Sequence, residues 1–259
     1  MIDFNKLEAN REEYRLNYLC AQPFPYLSIE NLCDSKRLSE LCKEIPLLDN
    51  KSKDYMFAKN KFEKSNYGEL GPLLKELNED LHSERMNEFL SFISAKEVFV
   101  DPKNHGGGLH QGRENSFLDM HLDFNYHPMN KLWYREMNLL FYLNEGWQEE
   151  YGGKLKIEDL RTGNKEELDV NFNTLIIQQC SSFSLHGYDP TNFPPGKYRT
   201  SIATYAYVEH IKHIETPRTT DWFPSKEGDS ALKKELGRNF KHLVKVKNKL
   251  FGSGTSKNQ

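Results

Sequence analysis

The spacing of apolar positions changes character once along this 259-residue chain, near Val98. Ahead of that point it follows a helical period. Residues 4–19 are charged with scattered apolar positions, which predicts helix. KRLSELCKEI, preceded by Ser35, places Leu38, Leu41, Cys42 and Ile45 at helical spacing before Pro46 stops the pattern. From about Pro72 to Ile93 a longer stripe collects Leu74, Leu77, Leu81, Phe89, Leu90 and Ile93. Pro72 stands near its start, where a missing N–H costs no helical hydrogen bond. Between the first two blocks AQPFPYLSIENLC is a short extended piece, its prolines fixing the entry.

Beyond Val98 the period shortens. VFVDP is strand-like and leads into the turn-rich KNHGGGLHQGREN. Then come SFLDMHLDFNYH, REMNLLFYLNEGW, GGKLKIEDL, LDVNFNTLIIQQC, SFSLHGYD and YRTSIATYAYVEH, short runs of β-branched and aromatic residues bounded by Gly, Pro, Asn or Asp. Strand after strand without intervening helices predicts antiparallel sheets packed as a sandwich or jelly-roll. Gly106–Gly108 and Gly152–Gly153 are expected to form turns at positive φ rather than phosphate loops, because neither opens a helix after a strand. A basic segment from about Asp229 to Phe251 predicts a final helix with a solvated charged face, and Gly252 ends it.

Bulk composition narrows the partners. Apolar residues make up 37%, but aromatics at 12% supply large core-filling surfaces. A net charge of −3 gives no basic face for nucleic acid. Nothing approaches the roughly 20 consecutive apolar residues of a membrane span, and the charged start lacks a secretory apolar region. Cys20, Cys33, Cys42 and Cys180 share no CxxC spacing, so reduced thiols in a cytoplasmic protein are expected.

The candidate chemistry centres on His121-Leu122-Asp123. Residues two apart on a strand share a face, so imidazole and carboxylate converge. Two histidines and a carboxylate with open positions form the facial triad of non-haem Fe(II) oxygenases. An HxD alone is a weak signal, and the second histidine must come from another strand. His186, closing the run SFSLHGYD before a turn, is the best candidate. His127 lies beyond the strand beside Pro128, His105 and His110 flank the GGG loop, and His82, His210, His213 and His242 sit in helical or terminal contexts. Thirteen residues after His186, Arg199 and Ser201 open RTSIATYAYV. By alternation Arg199, Ser201, Ala203, Tyr205 and Tyr207 share one face. An arginine turned inward is costly unless paired, and a ligand carboxylate would satisfy it with Ser201 donating alongside; in isolation a surface arginine on a strand edge is the simpler reading. In MNLLFYLN, Asn138, Leu140, Tyr142 and Asn144 face together, so Tyr142 offers its phenol to the same carboxylate or serves as a core tyrosine.

The ordered set HxD, YLNxxW, GGxL, His and RxS, carried by GGGLHQGRENSFLDMHLDFNYHP, REMNLLFYLNEGWQEEYGGKLKIED and SSFSLHGYDPTNFPPGKYRTSIATYAY, resembles the prolyl-4-hydroxylase-like branch of the Fe(II)/2-oxoglutarate dioxygenases over about residues 98–209. The resemblance implies a mostly β chain with flanking helices (α+β) around a double-stranded β-helix, or jelly-roll, core. It divides the chain into a helical region 1–97 packing on the core, the core 98–215, a C-terminal helical extension 216–251 and a disordered tail 252–259. It places Fe(II) on His121, Asp123 and His186 as both metal ligands and catalytic residues. It places 2-oxoglutarate on Arg199, Ser201 and Tyr142, with O2 as cosubstrate and succinate and CO2 released as a C–H bond is hydroxylated. The link from His186 to Arg199, with Pro190, Pro194 and Pro195, is longer than in animal prolyl hydroxylases, which keeps Lys197 as a second carboxylate partner. Asp119 is expected to share the inward face with His121 and Asp123.

The substrate, a small molecule or a peptidyl group, is left to loops 103–117, 124–135 and 187–197, with Asn125, His110 and Arg113 as candidate contacts. Halogenation would need a small residue in place of Asp123. The rivals are a non-redox metal-binding jelly-roll, cupin-like isomerase or ligand-binding module, which has no need of Arg199, and a zinc hydrolase, for which no general base stands at a fixed offset.

Overall fold

The computed structural model describes residues 1–48 and 57–224. Among the described residues, five α-helices precede or flank the sheet: α1 (Phe4–Ala9), α2 (Arg11–Cys20), α3 (Ser35–Glu44), α4 (Pro72–Leu81) and α5 (Glu84–Ser94). The strands are β1 (Tyr26–Glu30), β2 (Ala58–Lys64), β3 (Phe99–Val100), β4 (Gly108–Leu122), β5 (Trp133–Tyr142), β6 (Leu155–Asp159), β7 (Lys165–Leu168), β8 (Thr174–Gln179), β9 (Ser184–Tyr188), β10 (Arg199–Glu209) and β11 (Asp221–Trp222). None of the described helices is long and apolar enough to cross a membrane.

The helical half differs from expectation in its punctuation. The 4–19 segment breaks at Asn10 into two helices. Asp34, not Ser35, caps α3, its carboxylate accepting the Arg37 N–H at 2.8 Å. The long stripe from Pro72 divides at His82–Ser83, where Ser83 caps α5 by accepting the Met86 N–H at 3.3 Å. A side-chain oxygen satisfying an orphan amide competes well with one more helical turn. Residues 58–64, inside the region expected to be helical, form β2 instead. Residues 216–224 begin the predicted C-terminal extension as coil and the strand β11, and the remainder of that extension and the tail lie outside the described residues.

The sheet is antiparallel at every named pairing and curls into the predicted jelly-roll, with neighbours in the order β1-β8-β5-β10-β4-β9-β6-β7. β4 makes the curl possible. Its first part, Gly108–Gly112, pairs with β10, and its last part, Leu118 and His121, pairs with β9. On β5 the alternation follows the sequence: Met137, Leu139, Phe141 and Leu143 join the core shared with Leu38, Leu41, Leu77 and Leu90 of the helices. Each such fully buried aliphatic contributes roughly 1.5–3 kcal/mol. The opposite face of β5 and β10 lines an interior cavity.

Two register slips shape that cavity. Ala206 pairs with Met137 and Tyr207 with Arg135, so Glu136 is an extra residue in β5. Leu118 pairs with Tyr188 and His121 with His186, so β4 carries one residue more than β9 across this interval. A bulge inserts one residue and reverses which side chains face inward. Gly187 sits opposite the second bulge, where an added Cβ would lie 2.6 Å from the Leu118 carbonyl oxygen. Glycine is required there by close approach of the strands.

Candidate functional site

His121 ends β4, Asp123 follows it directly, and His186 lies on β9 in register with His121. Their ligand atoms all fall within 4.8 Å of one another. His121 Nε2 is 3.6 Å from Asp123 Oδ1, and His186 Nε2 is 3.5 Å from Asp123 Oδ2. His121 Nδ1 lies 2.9 Å from the Asp119 carbonyl oxygen, an acceptor only, so Nδ1 is the donor, and in the neutral ring Nε2 presents a lone pair to the cluster. Burial, and then the His121 charge, push the His186 pKa down to about 3, which leaves its imidazole neutral. Burial alone would raise the Asp123 pKa, but the neighbouring Arg135, His186 and His121 hold it well below the usual carboxylate range. Two imidazoles and an ionised carboxylate are the donor set that suits a divalent transition metal.

The cavity above these side chains has a volume of about 170 Å³. At its other end Arg199, 6% exposed, donates from Nε to the Gly153 carbonyl at 2.7 Å and from Nη2 to the Tyr142 hydroxyl oxygen at 3.2 Å. Its guanidinium carbon stands 3.9 Å from the centroid of the Tyr188 ring. Gly153, at φ +74°, both makes the turn and leaves room for this arginine, since a Cβ would come within 3.0 Å of Arg199 Cδ. Burial raises the Tyr142 pKa against the pull of Arg199, so the phenol keeps its proton. Ser201 lies on β10 opposite both Tyr142 and His110, and all three line the cavity.

Other expected residues lie elsewhere. Asp119 is buried at the β4 bulge and does not line the cavity, because the extra residue breaks the expected parity. Lys197 is exposed, 5.5 Å from the centroid of the Tyr151 ring. Of the candidate substrate contacts, His110 lines the cavity, on a strand where a loop was expected. Asn125 is 1% exposed and spent on the chain itself: it donates to the Thr216 carbonyl at 3.1 Å and accepts the Arg218 N–H at 2.8 Å. Arg113 packs over Phe62 at 3.9 Å and donates to the Leu48 carbonyl. Tyr207 lies beyond the cavity, against Phe99, Trp133 and His127.

Sequence reasoning missed two contributors and set a third, Arg135, in the 124–135 loop at the substrate mouth. Lys61 reaches the cavity from β2. Trp222, on β11 in register with His121, stacks 4.8 Å from that imidazole. Arg135, 1% exposed, turns inward and approaches Asp123 Oδ2 at 3.1 Å. The basic and aromatic character of these positions was visible, but strand pairing decides where they point.

A second cluster of the same composition, Asp101, His105 and His127, also brings its ligand atoms within 4.8 Å. Here His127 Nδ1 accepts two backbone N–H groups, from Met129 at 3.2 Å and Asn130 at 3.0 Å. The neutral ring therefore carries its proton on Nε2 and donates it to Asp101 Oδ2 at 3.3 Å, the same oxygen that accepts from His105 Nδ1 at 2.9 Å. Burial would raise the Asp101 pKa, but hydrogen bonds from His127 and from the amides of His105 and Lys103 hold it well below the usual carboxylate range.

Comparison with known proteins finds similarity in sequence over part of the chain and in fold over most of it. A sequence model described as the 2OG-Fe(II) oxygenase superfamily matches residues 107–207. No curated protein matches the chain by sequence. Among solved structures, a prolyl 4-hydroxylase from Phytophthora capsici is similar with a TM-score of 0.58 and 18% identity, covering 97% of this chain and 80% of that one. A prolyl-4-hydroxylase from Pseudomonas putida gives a TM-score of 0.53 and 14% identity, over 77% of this chain and 100% of that one. A prolyl hydroxylase from Trichoplax adhaerens, in complex with a hypoxia inducible factor peptide fragment, gives 0.53 and 15% identity over 79% and 92%. Residues 107–207 are thus similar in sequence to the 2OG-Fe(II) oxygenase superfamily, and the fold is that of the prolyl 4-hydroxylase structures.

Proposed function

We propose that His121, Asp123 and His186 hold Fe(II), that Arg199 with Tyr142 and Ser201 holds the distal carboxylate of 2-oxoglutarate, and that the protein hydroxylates a C–H bond of a small-molecule or peptidyl substrate. The observation that carries this reading is one buried cavity with a facial triad at one end and a buried, oriented guanidinium at the other. A non-redox jelly-roll would not need Arg199 inside.

Each side chain has a definable task. His121 is fixed by its Nδ1–H bond so that Nε2 faces the metal position. Arg199 is braced by Gly153 and Tyr142, which aim its charge before any ligand arrives. Tyr142 accepts from Arg199 and keeps its own O–H to donate to the carboxylate. Trp222 covers His121 and excludes water on that side. Bound iron would supply O2 activation: substrate C–H, O2 and 2-oxoglutarate become C–OH, succinate and CO2. The Trichoplax relative's peptide supports a peptidyl substrate as one of the two classes.

Anaerobic addition of Fe(II) and 2-oxoglutarate should produce a weak visible charge-transfer band that vanishes in His186→Ala. Wild-type protein showing no band, and no succinate in air even without substrate, would overturn the reading.

A further inference from the structure

Asp123 is a ligand with two oxygens, and the structure treats them differently. Asn138 Nδ2 donates to Oδ2 at 2.8 Å, and Arg135 Nη2 approaches the same Oδ2 at 3.1 Å. Arg135 is itself held by Asn138, whose Oδ1 accepts from Nε at 2.8 Å and from Nη2 at 2.6 Å. The guanidinium is clamped between rings, 3.4 Å from the Tyr205 centroid and 4.6 Å from that of Phe124. Oδ2, 3.5 Å from His186 Nε2, thus carries both Asn138 and Arg135, whereas Oδ1, 3.6 Å from His121 Nε2, carries neither.

Burying an arginine this completely costs several kcal/mol unless it is paired, and the fold goes to some length to put it there. Strict alternation would turn Arg135 to the helix-facing side with Met137, away from the cavity. The bulge at Glu136 turns it inward, and that bulge is anchored: Glu136 is 4% exposed, pairs with Lys96 at 2.5 Å, and accepts the Cys180 N–H at 2.8 Å through its carbonyl.

Resting on the iron reading above, we propose that Arg135 is a positioning residue: with Asn138 it occupies Asp123 Oδ2, restricts the carboxylate to one-oxygen ligation through Oδ1, and so keeps a coordination position open for 2-oxoglutarate. Iron held by these three side chains would also have to admit the 2-oxo acid end of the cosubstrate and O2, so the protein must leave positions free for both. A carboxylate free to chelate through both oxygens would compete for one of them. The Arg135 charge also draws electron density from Asp123, which weakens it as a donor.

The sign of the expected effect separates this role from simple structural support. In Arg135→Met, Fe(II) affinity should be unchanged or tighter, because a repelling charge is gone and the second oxygen is released. Affinity of the iron-loaded protein for 2-oxoglutarate should fall at least about tenfold. The charge-transfer band should move to lower energy as a more strongly donating carboxylate raises the metal levels. Asn138→Leu should do the same to a smaller degree, and Arg135→Lys should recover the band position in part. Arg199→Ala is the control: it weakens 2-oxoglutarate binding while leaving the band energy in place.

A wild-type band that is unshifted in Arg135→Met, with unchanged 2-oxoglutarate affinity, overturns the positioning role and leaves the iron reading standing. So does a variant in which iron affinity, cosubstrate affinity and melting temperature all fall together. Absence of the band in wild type removes the iron reading itself.

Discussion

Asp123 with His121 and His186, and Asp101 with His105 and His127, are chemically the same set, yet they are built for different work. The difference lies in the nitrogen of each ring that faces away from the cluster. At His121 that nitrogen donates to a carbonyl, so the neutral ring turns the lone pair of Nε2 toward its neighbours. At His127 it accepts two amide protons, which forces Nε2 to carry a proton. The first arrangement invites a cation; the second makes a hydrogen-bonded knot tying the β3–β4 turn to the β4–β5 loop. The surroundings follow suit: the first cluster opens into a cavity lined by Arg199 and Tyr142, which the second does not border. Proximity of donor atoms therefore says less about metal binding than the hydrogen bond made by the far side of each ligand.

The sharpest way to break this contrast is to count metal. Chelated wild-type protein should take up one equivalent of Fe(II) or Co(II). His186→Ala should take up none, and His105→Ala and His127→Ala should still take up one. A second equivalent lost in His105→Ala would show that both clusters bind. Arg199→Ala should weaken 2-oxoglutarate binding about 10- to 100-fold, the loss of a charge-assisted hydrogen-bonding partner, with metal stoichiometry untouched. Titration of the anaerobic band measures this directly.

The two clusters should also part in thermal stability. His127→Ala unties the buried knot and should cost roughly 1–3 kcal/mol, visible as a lower melting temperature. A smaller and graded effect is expected from pH. His186 has a folded pKa below its free value of about 6.5, so between that value and about 3 the unfolded chain binds a proton that the folded one refuses. Metal-free protein should be fully stable with respect to this group above about pH 6.5 and lose about 1.4 kcal/mol per unit as the pH falls below it. Melting curves of the metal-free wild type and His186→Asn between pH 7 and 4 test it, and equal slopes would refute the assignment.

Much of the site was legible along the chain because it depends on local rules. HxD at a strand end, a histidine before a turn, and an arginine and serine two apart on a strand all survive as pocket residues. So does the division of β5 into a helix-facing row and a cavity-facing row. These follow from period-two geometry, which each strand carries by itself.

What only tertiary structure decided is where that period is broken and what is laid beside it. Glu136 and the Asp119–Met120 interval look like ordinary strand positions, yet each is a bulge. One brings Arg135 inward and the other turns Asp119 away. A bulge is a mismatch in length between two partners, so neither partner's sequence announces it. β2 and β11, which deliver Lys61 and Trp222, are short and poor in strand signals, and pairing with β4 is what makes them strands. The tautomers of His121 and His127 were likewise beyond the sequence, since a distant turn or carbonyl sets each one. The chain specifies the candidate ligands and the faces; the pairing of strands specifies which carboxylate oxygen, which ring nitrogen and which arginine those faces present.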